Sequence, residues 1–242
     1  MGGVRELVKH KFNIWDYMDE LKKNDYILEL KDGIKFYLPY CYYFDFIQMM
    51  IIRDDYFYEG RSLEYLKNNV LKQGMVIMDI GANIGNHTVF FAKKCQAAQV
   101  FSIEPQKDVF DILEKNVALN NLGSVCTTYN FALGKSSGRA DIVSRNRANC
   151  GGTKLAMSES GDIMISALDE MDLPHIDFMK IDVEGFEYDV LKGGEQLLKS
   201  MNPIFYIEIE DKNFNKVNAL LNSYGYATTQ NRHLADYLYK KS

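Results

Sequence analysis

Three short stretches carry residue types suited to chemistry. Residues 79–85 read DIGANIG, the strand-like VFSIEP ends in Glu104 and Pro105, and residues 180–187 read KIDVEGFE. Gly81 and Gly85 bracket a turn between an apolar run and a helix-like run, where glycine permits unusual dihedrals and a close backbone approach. Glu104 follows at about the ~20-residue interval at which a carboxylate accepts both hydroxyls of a ribose. A dinucleotide site needs Gly-x-Gly-x-x-Gly, whose second glycine makes room for the pyrophosphate. Asn83 and Asn86 stand at the second and third glycine positions, so a pyrophosphate would meet a side chain. S-adenosylmethionine has no phosphate and tolerates Asn83. Its sulfonium and amino groups are cationic and favour an acidic neighbour such as Asp79. An NAD(P)-dependent oxidoreductase is disfavoured on the same ground. In KIDVEGFE, Lys180, Asp182 and Glu184 alternate, and in an extended strand they would share one face. Charges at the end of a buried strand are costly unless paired or used. Capping of the next helix by Asp182 or Glu184 is the plainer reading, but it leaves Lys180 unexplained.

Alternating elements must position these groups. The apolar patterns predict strands over residues 75–81, 100–105, 124–133, 175–182 and 203–209. Helices are expected over residues 86–94, 108–121, 186–199 and 214–222. Such alternation implies right-handed βαβ units and a mostly parallel sheet covered on both faces. In open sheets of this kind ligands sit beyond the carboxyl ends of the strands, where Gly81, Glu104 and Asp182 all fall. Two regions break the rhythm. Residues 1–74 read as an extension with helices near residues 13–23, 44–53 and 62–71 and a short strand at residues 34–38. Ten aromatics lie between Phe36 and Tyr58, suited either to packing the extension down or to lining an acceptor pocket, so the extension is expected to act as a substrate lid on a domain spanning residues 75–242. Residues 134–161 are rich in Gly, Ser and Asn and are expected to hold a strand pair, RADIVSR and DIMISAL, around a loop. Lys135, Arg139, Arg145, Arg147 and Lys154 face only Asp141 there, a local excess suited to an anionic acceptor or to a solvated loop.

Composition limits the alternatives. The 242 residues suit one α/β domain with an extension, and 47% hydrophobic residues support a sizeable core. A net charge of −5 argues against a general nucleic-acid or membrane-surface binder. Cys41, Cys95, Cys126 and Cys150 are scattered without a Cys-x-x-Cys pair and read as reduced thiols. No apolar run approaches the ~20 residues of a membrane span. MGGVRELVKHKF lacks the apolar core of a signal peptide, and Glu6 breaks the myristoylation pattern. The expectation is a cytoplasmic protein; its oligomeric state is open.

DIGANIGNHT, IEP, LEKNVALNNL, KIDVEGFEYDVLKGG and a proline-initiated strand ending in Glu208 resemble the FkbM family of S-adenosylmethionine-dependent methyltransferases, over roughly Met75 to Glu210. The resemblance implies a class I methyltransferase fold (Rossmann-like, with seven strands, the last antiparallel) and O-methylation of a sugar, glycan precursor or secondary metabolite. It implies that Asp79, Gly81, Ala82, Asn83 and Gly85 form the turn and hold the methionine moiety, that Glu104 with Pro105 holds the ribose, that His87 and Thr88 close the loop, and that Asn130 and Ala132 flank the adenine. A neutral hydroxyl must lose its proton during attack. Asp182 is the first candidate base and Glu184 the second, with Lys180 orienting a carboxylate or stabilising a developing alkoxide. Asp182, Glu184 and Glu208 would suit Mg²⁺ if they converged, though no spacing requires it. N-methylation of an amino sugar and a non-catalytic cofactor-binding partner are the alternative readings.

Overall fold

The computed structural model describes residues 14–41, 45–144, 152–233 and 236–241. Its centre is a seven-stranded sheet built from β3 (Val76–Ile80), β4 (Gln99–Ile103), β5 (Cys126–Tyr129), β10 (Phe178–Ile181), β11 (Ile204–Glu208), β12 (Tyr226–His233) and β13 (Asp236–Lys241), in the order β12-β13-β11-β10-β3-β4-β5. Only β13 runs against the rest, as expected for a class I methyltransferase sheet. The chain builds outward from β3 to β5, then returns to place β10 on the other side of β3. That reversal is the topological switch point at which α/β folds bind ligands.

The strands are apolar on both faces because both are covered. Ile77, Val100 and Phe178 pack to one side, Met78, Phe101 and Met179 to the other. The second side is closed by α6 (Glu187–Lys192), α7 (Glu195–Ser200) and α8 (Asp211–Ser223). The first is closed by α4 (Asn86–Lys93) and α5 (Lys107–Leu119) together with the extension, which contributes α1 (Ile14–Lys23), the hairpin β1 (Ile27–Glu29) and β2 (Lys35–Tyr37), α2 (Phe46–Asp54) and α3 (Gly60–Asn69). Phe36, Phe57 and Leu66 lie in the same continuous core as Phe90 and Val100, so packing runs across residue 74 without a break.

Three asparagines fasten the extension to α4 and α5, the helices over the sheet. The Asn86 side chain accepts from Tyr58 N at 2.9 Å and donates to Tyr58 O at 3.0 Å. Asn120 does the same to Lys35, at 3.0 and 2.7 Å. Asn116, fully buried, accepts from Tyr37 N at 2.6 Å and donates to Ile84 O at 2.7 Å. A primary amide carries a donor and an acceptor on separate atoms of one short side chain and so satisfies a backbone N–H and a backbone carbonyl together.

The region between β5 and β10 departs most from expectation. The strand expected over residues 124–133 breaks at Asn130, whose amide donates to Glu104 O and Pro105 O at 2.9 and 3.1 Å and turns the chain out of the main sheet. Residues beyond it form β6 (Ala132–Leu133) in a second, four-stranded sheet with β7 (Gly138–Ser144), β8 (Lys154–Met157) and β9 (Ile163–Ser166), in the order β6-β9-β7-β8. The expected pairing of RADIVSR with DIMISAL is the antiparallel β7–β9 ladder; β8 was not anticipated. The helix expected over residues 186–199 is two helices. A Cβ on Gly193 would stand 2.1 Å from Gly134 O, so the break is where the chain leaving β6 packs against the helix pair. The β1 strand and the β12–β13 hairpin are further elements that the residue patterns did not disclose.

Replacing Asn116 by Ala should expose the cost of this fastening. It leaves Tyr37 N and Ile84 O buried without partners, at ~1–3 kcal/mol each. The expected loss, read from denaturant midpoints, is ~2–6 kcal/mol. A loss below ~1 kcal/mol would show that the extension is held by its apolar contacts alone.

Candidate active site

A pocket opens beyond the carboxyl ends of β3, β4, β10 and β11, lined from below by Gly81, Asn83, Glu104, Asp182, Glu184 and Glu208. Phe46, Tyr58 and Glu59 of the extension wall one side, and Thr153, Leu155 and Ile165 of the second sheet the other.

The floor is set by two close approaches. Gly81 has φ +78°, and a Cβ there would lie 1.8 Å from Asp182 O; only glycine lets the ends of β3 and β10 meet so closely. Gly85 has φ +87°, and its Cβ would lie 2.7 Å from Leu113 Cδ1. Asn83 adopts φ 50°, a left-handed conformation that asparagine tolerates better than most side chains. This turns its N–H toward Glu104 Oε2, at 3.0 Å. Gln106 N donates to the other oxygen, Oε1, at 2.9 Å. Glu104 is thus buried, fixed in orientation, and left with a further lone pair on each oxygen. Burial, opposed by those two N–H donors, pushes its carboxyl up to about 7.

Beneath the loop runs a buried polar chain. Thr88 Oγ1 lies 2.8 Å from Ser102 Oγ and donates to Asp79 Oδ2 at 2.7 Å. Lys180 Nζ lies 3.9 Å from Asp79 Oδ1, donates to Gly81 O at 3.3 Å, and pairs with Asp182 Oδ2 at 3.0 Å. Burial pulls the Lys180 ammonium down, but Asp182 and Asp79 pull it up further, so it stays charged. Asp79 and Thr88 therefore sit under the pocket, not on its surface. His87 Nε2 faces Glu59 Oε2 at 3.2 Å. Asn130 holds the chain beyond β4; Ala132 and Pro105 line the pocket. Ala82 is buried in the loop.

Lys180 and Asp182 are brought together as their alternation suggested, but Glu184 is not on that strand face. β10 ends at Ile181, and Glu184 takes φ 51° in a turn followed by Gly185 at φ 105°. Glu187 accepts from Gly185 N at 2.6 Å, and Asn213 donates to Gly185 O at 3.0 Å, which locks the turn. Glu184 still reaches the pocket. Its own desolvation, then the charges of Asp182, Glu210 and Glu187, push its carboxyl up to about 7. The same strand-end rule that found Glu104 would have drawn attention to Glu208 as a site residue. Tyr58, Glu59 and Thr153 gave no signal, because they arrive from the extension and the second sheet. Thr153 Oγ1 donates to Gln106 Oε1 at 2.9 Å, joining that sheet to the β4 end of the pocket.

The basic run of residues 135–154 is largely engaged elsewhere. Arg139 donates to Gly161 O at 2.5 Å, and Lys154 lies 3.7 Å from Glu210; Arg145 and Arg147 lie outside the described residues. Among the described residues no group of three or more His, Cys, Asp or Glu is placed to hold a metal ion, Asp182, Glu184 and Glu208 included. No helix among them is long and apolar enough to cross a membrane.

A family model for the methyltransferase FkbM domain matches residues 79–228, more than half of the chain. The chain belongs to the FkbM methyltransferase family. A second model, for protein-L-isoaspartate(D-aspartate) O-methyltransferase, matches residues 13–137. Among curated relatives, the chain is 33% identical over 131 residues to the hexuronic acid methyltransferase AglP of Haloferax volcanii, an alignment covering 52% of this chain and 53% of that one. It is 24% identical over 156 residues to the methyltransferase sdnD of Sordaria araneosa, covering 50% and 60%. The chain thus spans little more than half the length of these relatives. A solved FkbM methyltransferase from Methylobacillus flagellatus superposes with a TM-score of 0.58 at 18% identity, over 80% of this chain and 52% of that one, which shows the shared class I fold. The matched region is a methyltransferase domain, and its family implies a methyl donor of the S-adenosylmethionine type.

The crowded carboxylates make a prediction about stability. Glu184 ionises at about 7 in the fold, against an ordinary value near 4.5, so between those pH values the folded state holds a proton that the unfolded chain has lost. Stability therefore falls as pH rises across that interval. Glu184→Gln removes the penalty: melting temperature should rise by about 2–4 °C at pH 8, the response of a chain this size to ~1 kcal/mol, and not at pH 4.5. An equal rise at both would mean that ionisation is not the cause.

Proposed function

We propose that this protein is an S-adenosylmethionine-dependent O-methyltransferase acting on a saccharide hydroxyl. The observation that carries the donor assignment is Glu104, a buried carboxylate presented at the pocket floor by Asn83 and Gln106 with one lone pair on each oxygen still available. That is the pair of acceptors a ribose diol needs. The apolar wall of Leu133, Leu155 and Ile165 suits a purine, and Asn83 stands where a diphosphate would need bare backbone. S-adenosylmethionine, when bound, supplies a methyl group already activated on a sulfonium.

The chain's own residues then bind and orient. Asp182, held by Lys180, and Glu184 offer negative charge to the donor's cationic end; Asp79 acts from below by fixing Lys180. Positioning alone can contribute up to ~7–11 kcal/mol in well-oriented systems. A saccharide acceptor is supported by the relative named as a hexuronic acid methyltransferase and by the aromatic wall of Phe46 and Tyr58, whose rings meet edge to face at 5.8 Å. A second reading, N-methylation of an amino sugar, is favoured by the acidic rim of Glu59, Asp182, Glu184 and Glu208.

Titration calorimetry with S-adenosylhomocysteine and with NADH separates the donor classes; tight NADH binding without a response to S-adenosylhomocysteine would sink the proposal. Glu104→Ala should weaken S-adenosylhomocysteine about ten- to hundredfold, the ~1.5–3 kcal/mol of lost charge-assisted hydrogen bonds, while the circular dichroism spectrum is unchanged. Unaltered affinity would remove Glu104 from the donor site.

A further inference from the structure

A second cleft adjoins the donor pocket and runs between the extension and the far end of the sheet. It is walled by Met50, Phe57, Arg61 and Ser62 on one side and Asp236 on the other. Among the described residues the two cavities share Phe46, Tyr58, Glu59 and Glu208. Phe46 is 47% exposed although it sits at this junction, as a ring awaiting a partner would be.

The carboxylates around the junction differ in what they are free to do. Asp182 is paired with Lys180 at 3.0 Å. Glu59 faces His87 at 3.2 Å. Asp236 accepts from Tyr206 Oη at 2.7 Å. Glu184 lines the donor pocket and not the second cleft. Glu208, at the carboxyl end of β11, lines both and is accessible from the cleft, and its carboxylate makes no hydrogen bond or ion pair among the described residues. A base for methyl transfer must touch the acceptor oxygen while that oxygen faces the donor methyl, so it must stand where the two cavities meet.

We propose that the second cleft is the acceptor subsite, taking a saccharide against Phe46 and Tyr58, and that Glu208 is the catalytic residue that accepts the proton of the reacting hydroxyl. This rests on the donor pocket proposed above and moves the base from Asp182 or Glu184, where strand alternation suggested it, to the neighbouring strand. In the step, the acceptor oxygen forms a bond to the methyl carbon as its O–H bond breaks and the proton passes to a Glu208 oxygen. The S–CH₃ bond breaks with its electron pair remaining on sulfur, which leaves as the neutral thioether.

The surroundings suit a base. Desolvation, then the charges of Asp182 and Asp236, and further Glu59, push the Glu208 carboxyl up to about 8 against the pull of Lys180. Arg61 lines the same cleft and Tyr58 adds a hydroxyl that its own burial and Glu59 keep protonated. A carboxylate of raised proton affinity accepts a proton more readily than an ordinary one. Since the base must be ionised, kcat/KM should rise with pH through about 8.

The experiment follows S-adenosylhomocysteine formation with p-nitrophenyl β-D-glucuronide and p-nitrophenyl β-D-glucoside as acceptors. Glu208→Gln should lower kcat at least ~10²-fold and abolish the rising limb of the pH profile. Its affinity for S-adenosylhomocysteine should stay within about threefold of wild type, which shows that the variant is folded. Glu184→Gln should keep the limb. Activity within threefold of wild type for Glu208→Gln, or loss of the limb in Glu184→Gln instead, overturns the assignment. A direct titration stands apart from turnover: in ¹³C-glutamate-labelled protein with S-adenosylhomocysteine bound, the resonance missing from Glu208→Gln should titrate between about 7 and 9, and a midpoint below 6 overturns the proposal even if neither glycoside is methylated. Failure of S-adenosylhomocysteine to bind wild type would instead defeat the donor reading.

Discussion

The site depends on one buried cation. Lys180 lies at the switch point, where β10 returns beside β3, and reaches Asp79 on β3, Asp182 just beyond the end of β10 and the carbonyl of Gly81. An isolated ammonium at 4% exposure would be costly, and so would two carboxylates a few ångströms apart. Together they hold the ends of two strands at a separation that only a glycine at residue 81 permits. The loop above inherits its position from that contact: Asn83 turns left-handed, its N–H meets Glu104, and the second strand end is fixed in turn. Removing one partner of such a group strands the others in low dielectric, so the floor of the pocket is a unit, not a set of independent residues.

The extension completes this unit from above. Asn86 begins α4 directly after the glycine loop and grips Tyr58 by both backbone groups. The helix that follows the donor loop thereby also sets where Phe46, Tyr58 and Glu59 stand. The walls of the two adjoining cavities are thus coupled through one amide to the geometry of the glycine loop.

Charge is distributed unevenly across the rim. Lys180 neutralises Asp182 and Asp79, but Glu184 and Glu208 lie beyond its direct reach and among like charges. Their proton affinities are raised for the same physical reason, desolvation beside other carboxylates. The rim therefore carries negative charge and raised proton affinity side by side, which is what the proposed transfer from a sulfonium to a hydroxyl would call for.

The sequence by itself determined the family and the frame. DIGANIG, IEP and KIDVEG are local: glycine where φ must be positive, a carboxylate at a strand end, and a charged pair two residues apart on a strand all act within a few residues of chain, and period and length disclosed the parallel strands that carry them. The role of the extension was not legible, because an aromatic-rich stretch packs equally well in any orientation until a partner such as Asn86 selects one. Of the second sheet only the β7–β9 pair was legible; β6 and β8 are four residues or fewer, and the sheet's departure from the main one turns on one asparagine bonding to carbonyls about 25 residues away. Glu184 left the strand face because the EG turn is locked by Asn213 from another helix. Glu208 ends a strand as visibly in the sequence as Glu104 does. What distinguishes it, that it stands unpaired where two cavities join while its neighbours are held by Lys180, His87 and Tyr206, is a relation among five elements distant along the chain, and only the tertiary structure decides it.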